Sequence, residues 1–265
     1  MRPPRALLVV PPVFAALFVA IGLAAGAASL AVVLRAENEL GKLVALAGCA
    51  VGALAFERGD YLRRAWVLSG GCMLLLLVRD VTVIPAVDAV VGGARFDGAR
   101  GALVVAGNTS SVIGAWMLAH AWSVSGLDDD ASRRGRWPLV AVGIVASFVA
   151  TGWPLVHDLA LLFGGDMNAI AWVGSDLGDT ICLALVAPVL ATALALRGGR
   201  LLWPWALLTA GGIAWVLYDA GWGTTELLHV DRMPAARLGV EALRALACTF
   251  TGMAGVAQRW AVAES

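Results

Sequence analysis

Lysine occurs once in this 265-residue chain, at Lys42, and histidine three times; charged residues make up only 14% of it, while 60% is hydrophobic. So little charge, with a mean hydropathy of +0.82, excludes a soluble domain of this length. An excess of basic residues is missing too. The 19 Lys plus Arg balance 19 Asp plus Glu, which leaves no electropositive surface for nucleic acid and excludes that class of partner. Cys49, Cys72, Cys182 and Cys248 stand singly in apolar segments with no CxxC or Cys/His spacing, so packing thiols are expected and a disulfide framework is not. Gly-x-Ser-x-Gly is absent, and no His-xxx-His or His-Glu-xx-His spacing offers a metal site, so no cofactor is implied.

What the chain has in quantity is apolar runs near 20 residues long, the length a helix needs to cross roughly 30 Å of hydrocarbon. The expected fold class is all-α, a polytopic membrane helical bundle. Eight transmembrane helices are predicted, near 6–34, 40–56, 65–86, 101–123, 138–157, 169–196, 201–222 and 239–258. Polar or Gly-rich connectors separate them: RAENELGK, ERGDYLRR, VDAVVGGARFDGAR, SGLDDDASRRGR, HDLALLFGGDM, RGGR and GTTELLHVDRMPAAR.

Orientation follows from the basic residues. With the N-terminus inside, eleven arginines from Arg2 to Arg259 lie on the inner side, against Arg35, Lys42, Arg95, Arg100, Arg232 and Arg237 outside. Trp66, Trp122, Trp137, Trp203, Trp205 and Trp260 fall at the inner boundary, where headgroup depth favours amphipathic rings. Both termini are therefore expected on the cytoplasmic side of a bacterial inner membrane. MRPPR followed by an apolar run and GLAAGAASLA also has the features of a signal peptide, whose cleavage would leave seven spans.

The chain matches itself when shifted by about 139 residues. RRAWVLSGGCMLLLLVRD falls on LWPWALLTAGGIAWVLYD, with Trp66 over Trp205, Asp80 over Asp219, Arg58 over Arg197 and Glu37 over Asp176. A one-residue change of register places Gly114, Trp122 and Ser110 over Gly252, Trp260 and Cys248. Apolar sequences also match one another through composition alone. Taken as a repeat, the pattern predicts two parallel four-helix halves, 1–137 and 138–265, related by an axis along the membrane normal.

Asp176-Leu-Gly-Asp179, a long apolar helix, Arg197-Gly-Gly-Arg-Leu-Leu-Trp-Pro-Trp and then Tyr218-Asp219 resemble the N-terminal multi-span sensory regions of bacterial histidine kinases and diguanylate cyclases. The stretch from Arg64-Ala-Trp-Val-Leu to Arg79-Asp80 resembles the first half of such regions. The resemblance covers about half the chain and implies a sensory role. The sequence reaches Ser265 just after the eighth span with no output domain, so that role is expected to need a separate cytoplasmic or membrane signalling partner.

Ionisable residues inside spans are costly and mark candidate sites. Arg79, Asp80, His157, Asp176, Asp179, Asp219, Glu241 and Arg244, joined by Asn108, all fall in the outer halves of their spans. An outward-facing polar cavity lined by them and by Trp153, Trp172, Trp215 and Trp222 would keep them out of lipid. Asp176 and Asp179, three residues and about 4.5 Å of rise apart, share a helix face and repel unless a cation or proton intervenes. Ion pairing with Arg244 or Arg79 is one reading; proton sensing or transfer, or binding of a cationic ligand against Trp faces, is the other. Gly22xxxGly26 and Gly48xxxGly52 point to close helix contacts, internal ones ahead of dimerisation. His120 is expected to pack between helices and His229 to lie in a loop. The expected function is a sensor-like, small-ligand-binding module in the lipid bilayer, taking a small molecule or cation from the outer side. A proton-coupled secondary transporter is the alternative, and a membrane-embedded hydrolase the lower one.

Overall fold

The computed structural model describes residues 4–91, 94–124, 130–166, 169–195 and 199–263. Among them, helices follow one another and no strand occurs: α1 (Arg5–Ala53), α2 (Tyr61–Thr82), α3 (Pro85–Val91), α4 (Ala94–Val124), α5 (Asp130–Phe163), α6 (Ala169–Ala195), α7 (Leu202–Leu227) and α8 (Pro234–Ala263). Residues 125–129 of the connector before α5, and Arg2 and Arg197 of the charge count, lie outside the described residues.

The first two expected spans meet elsewhere than the sequence pattern indicated. Helix α1 breaks at Gly26, whose φ of 69° and ψ of 174° suit glycine alone. From there residues 27–53 run as one helix straight through RAENELGK, which is no connector. Ala, Glu and Leu are good helix formers, and the charges of this run find partners inside the bundle, so nothing forces the chain out to water. Two other connectors are helical as well. VDAVVGGARFDGAR holds α3 and the first turns of α4, fastened by Arg100, which donates to Thr82 Oγ1 at 3.0 Å and Asp97 Oδ1 at 3.1 Å. Helix α5 continues through His157 to Phe163. It bends by 58° between Trp137–Val149 and Thr151–Phe163, where Pro154 cannot donate to the carbonyl four residues back.

Among the described residues, five segments are long and apolar enough to cross a membrane: Arg5–Gly26, Tyr61–Thr82, Asp97–Ala121, Ala169–Ala195 and Pro234–Ala263. The bent α5 makes a sixth if its two pieces count as one. Residues 27–53, which contain most of the span expected at 40–56, and α7, which contains most of the one expected at 201–222, fall outside this set. The first carries Arg35, Glu37, Glu39 and Lys42; the second carries Asp219, Glu226 and four tryptophans.

Helix α8 packs along α1 and α7; α2 packs on α1 and α4; α6 lies against α4, α5 and α7. The contact between residues 27–53 and α8 is made by backbone. A Cβ at Gly48 would lie 2.1 Å from the Gly252 carbonyl oxygen, and one at Gly255 would lie 2.0 Å from that of Gly48. Gly48 and Gly52 thus serve an internal contact, Gly52 facing Trp66 and Gly255.

Trp66 and Trp205, expected at the inner boundary, have their rings inside the bundle. Both are buried in the main apolar cluster with Cys49, Ala65, Ala254 and Ala257, while Trp137 is 73% exposed. The four cysteines are free thiols. Three buried hydroxyls close on their own helices, Thr151 donating to Ser147, Thr192 to Pro188 and Thr249 to Ala245 carbonyls, which satisfies them without water.

Gly48→Val or Gly255→Val is expected to force α1 and α8 apart, at a cost above the ~1–3 kcal/mol of ordinary overpacking because the obstacle is backbone. Thermal unfolding in detergent reads it; a variant melting with the parent would show that this crossing is looser than described.

Candidate functional site

Two groups of ionisable side chains lie in the bundle, and they differ in one respect. The first joins α1, α2 and α8. Asp80, 5% exposed near the end of α2, accepts at Oδ2 from Asn38 Nδ2 (2.9 Å) and from Lys42 Nζ, and at Oδ1 from Arg79 (2.8 Å). One turn earlier on α1, Glu37 Oε2 accepts from Arg244 Nη2 at 2.8 Å. Arg244 also pairs with Glu241, three residues before it on α8, and lies over the Tyr218 ring at 5.6 Å. Three acids, Glu37, Asp80 and Glu241, thus meet three cations, Lys42, Arg79 and Arg244. The six charges sum to zero, which is the condition for burying Glu37, Lys42, Asp80 and Glu241, while the Arg79 side chain stays 41% exposed.

The second group lies on α6 and α7. Asp179 and Asp219 face each other within hydrogen-bonding reach. Asp176 follows one turn before Asp179 on α6, with Asp158 of α5 beyond it. The Oδ2 atoms of Asp176, Asp179 and Asp219 are all buried and lack a partner. Arg244 and Arg79, the counter-charges the sequence offered, are committed to the first group. Among the described residues no cation pairs with Asp176, Asp179 or Asp219. Two carboxyl groups in contact persist only with a proton or a cation between their oxygens.

Asp179 also forms part of the wall of a cavity of about 110 Å³ between α2, α4, α6, α7 and α8. Asn108, Ser111, Ser175 and Thr251 add polar groups to that wall, and Met73, Leu76, Leu183 and Trp215 make it largely apolar. Asn108 lies against α6 at Gly178, whose added Cβ would come 3.1 Å from that of Asn108, and its Nδ2 is buried without an acceptor. The two residues that follow Asn108 are spent on packing: Ser110 donates to the Leu68 carbonyl of α2 at 2.7 Å and Thr109 to the Val105 carbonyl of its own helix.

Of the expected site residues, Asp179, Asn108 and Trp215 meet at this cavity, and Asp176 and Asp219 stand beside it. Asp80, Glu241 and Arg244 belong to the neutral group. His157 is exposed on α5, and Trp153 and Trp172 face outward at 62% and 50% exposure, away from the cavity. His120 stacks on Trp116 at 5.4 Å between rings, and His229 sits at φ 55° in the turn before α8. No group of three His, Cys, Asp or Glu able to hold a metal occurs among the described residues.

Sequence reasoning missed Lys42 and Asn38, because the run that carries them looked like a connector. The signal was present: Glu37 falls over Asp176 in the repeat register, and a residue paired with an intramembrane acid belongs inside a helix. The chain matches no protein-family model, no curated protein and no solved structure.

The two groups predict opposite responses to neutralisation. Lys42→Met or Arg244→Met strands a buried carboxylate and is expected to cost about 3–5 kcal/mol. Asp219→Asn removes an uncompensated charge and is expected to leave stability within about 1 kcal/mol of the parent or to raise it. Unfolding curves in detergent compare the two sets, and a loss in Asp219→Asn as large as in Arg244→Met contradicts the distinction.

Proposed function

We propose that this chain is a sensor-like binding module of a bacterial inner membrane, with both termini cytoplasmic, that takes a small ligand from the outer side into the cavity beside Asp179. The carrying observation is that a cavity wall holds an acid which no cation among the described residues neutralises, while the three acids of the first group are balanced by three cations. Ligand entry changes the balance between α6 and α7, and those helices pass the change inward to a separate signalling partner. This is the role implied by the resemblance to the sensory regions of histidine kinases and diguanylate cyclases.

The module consists of two parallel four-helix halves, 1–137 and 138–265. Packing supports this reading: α2 on α4 corresponds to α7 on α8, residues 27–53 on α2 to α6 on α7, and residues 27–53 on α8 to α6 on α4. Burial supports it too. Ala65, Trp66, Gly70 and Cys72 of α2 fall on Pro204, Trp205, Thr209 and Gly211 of α7, and all eight are buried. Four spans before four of the same orientation place both acid groups at one depth, toward the outer face.

A second reading, the proton-coupled transporter, gains from the cavity's depth. Its wall continues from Asp179 past Ser111 to Ser69, near the middle of α2, and to Leu118, in the C-terminal part of α4. Transport requires access from that end as well.

Thiol labelling separates the two. Cys72 and Cys182 line the cavity, whereas Cys49 and Cys248 are buried elsewhere and serve as references. In sealed vesicles of known orientation, a membrane-impermeant cationic methanethiosulfonate is expected to modify Cys182 from the outer face, faster than its anionic counterpart. Modification from both faces favours the transporter, and protection of Cys182 and Cys72 from both faces overturns the open cavity.

A further inference from the structure

We infer that the ligand of this cavity is a small primary amine, bound as its ammonium ion between Asp179 and Asp219 with its apolar body against Trp215. The inference rests on the open-cavity reading above and names the chemistry that the cavity would recognise.

The first acid group serves as an internal reference. There a primary ammonium, Lys42 Nζ, sits on the Asp80 carboxylate beside an amide donor, Asn38. In the repeat register Asp80 corresponds to Asp219 and Glu37 to Asp176, so the acids persist in the second half. The cations do not. Lys42 corresponds to Ile181, Arg79 to Tyr218 and, in the register of the last spans, Arg244 to Ala106. Each of the three positive charges is replaced by an uncharged residue, while one further acid, Asp179, stands where the first half has Leu40. Glu241 falls on Leu103, so with Asp179 the second group again holds three acids but none of the three cations; a bundle built this way has left the positive charge to something that enters.

Three observations independent of the acid count point the same way. Asp176 is 5% exposed, and its buried Oδ2 has no partner. Asn108 supplies from α4 the amide that Asn38 supplies to Asp80, and its Nδ2 is equally unspent. The remaining wall of Met73, Leu76, Leu183 and Trp215 suits a hydrocarbon body and, at Trp215, the face of a cation. The volume of about 110 Å³ is below the ~150 Å³ that takes benzene, so the body holds roughly four to six non-hydrogen atoms. Absence of a three-ligand metal grouping among the described residues, together with these apolar walls, favours an organic cation over a metal ion. A free amine and the ethanolamine headgroup of a lipid share this ammonium chemistry.

The probe is n-butylamine, titrated against the full-length protein in phosphatidylcholine nanodiscs at constant pH and ionic strength, with thermal unfolding as the readout. Saturable stabilisation by butylamine is expected, without stabilisation by 1-butanol or by equimolar sodium chloride. Asp179→Asn and Asp219→Asn are expected to weaken it at least about tenfold, and Asn108→Leu, which reaches the cavity from another helix, to weaken it too. Equal protection by butanol, or by sodium chloride, overturns the inference, since a dry apolar void or a general salt effect then accounts for it. Stabilisation that survives all three substitutions overturns it as well. Nanodiscs containing phosphatidylethanolamine separate the sources: protection already present there, absent in phosphatidylcholine and lost in Asp179→Asn supports a headgroup ammonium. No response to butylamine or to phosphatidylethanolamine with Cys182 open to the outer face removes the amine and keeps the cavity; no response with Cys182 protected removes both.

Discussion

A carboxylate surrounded by hydrocarbon has to be neutralised, and the cost of failing to do so exceeds that of any single packing defect in the bundle. Residues 27–53 show how this chain meets the requirement. Glu37 and Lys42 lie on that helix, and each reaches a partner on a different neighbour, Arg244 on α8 and Asp80 on α2. The same helix approaches α8 at Gly48, Gly252 and Gly255 so closely that no side chain fits between. Charge matching and backbone contact therefore fix one crossing, the first selecting the partner and the second the distance. Trp66 and Trp205 are buried together in the main apolar cluster of the same packed unit.

Against that frame the arrangement of Asp176, Asp179 and Asp219 is an exception of a recognisable kind. Strain and unmet polar groups in proteins gather where something binds or reacts. The cavity next to Asp179 gives the exception a location, and the neutral group gives it a reference. Neither alone would indicate a ligand.

Much of this was legible in the sequence because it follows from composition and spacing. Apolar runs specify helices, and the acids stand out against them. Gly48xxxGly52 announces a close contact. Less legible was anything decided by partners distant in sequence. RAENELGK carries the composition of a loop, and only the presence of Asp80 and Arg244 on other helices allows it to be buried as helix. Trp66 and Trp205 sit at the ends of apolar runs, where a ring is equally at home in headgroups or in a core; the alanines and Cys49 that receive them belong to other segments. HDLALLF looked like a connector because His157 and Asp158 are adjacent, yet the helix carries them around its surface to Phe163 before breaking. Asp179 and Asp219 could be listed as candidates but not joined, since their 40-residue separation says nothing about α6 and α7 being neighbours.

The Glu37–Arg244 pair spans 207 positions of the chain, and that interval has a meaning in time. A ribosome adding about 5–20 residues each second needs roughly 10–40 s to pass from one to the other. Lys42 and Asp80, 38 positions apart, meet within the first few seconds of that wait. The partner of Asp80 is thus on hand early, whereas Glu37 waits for its partner until α8 has been made.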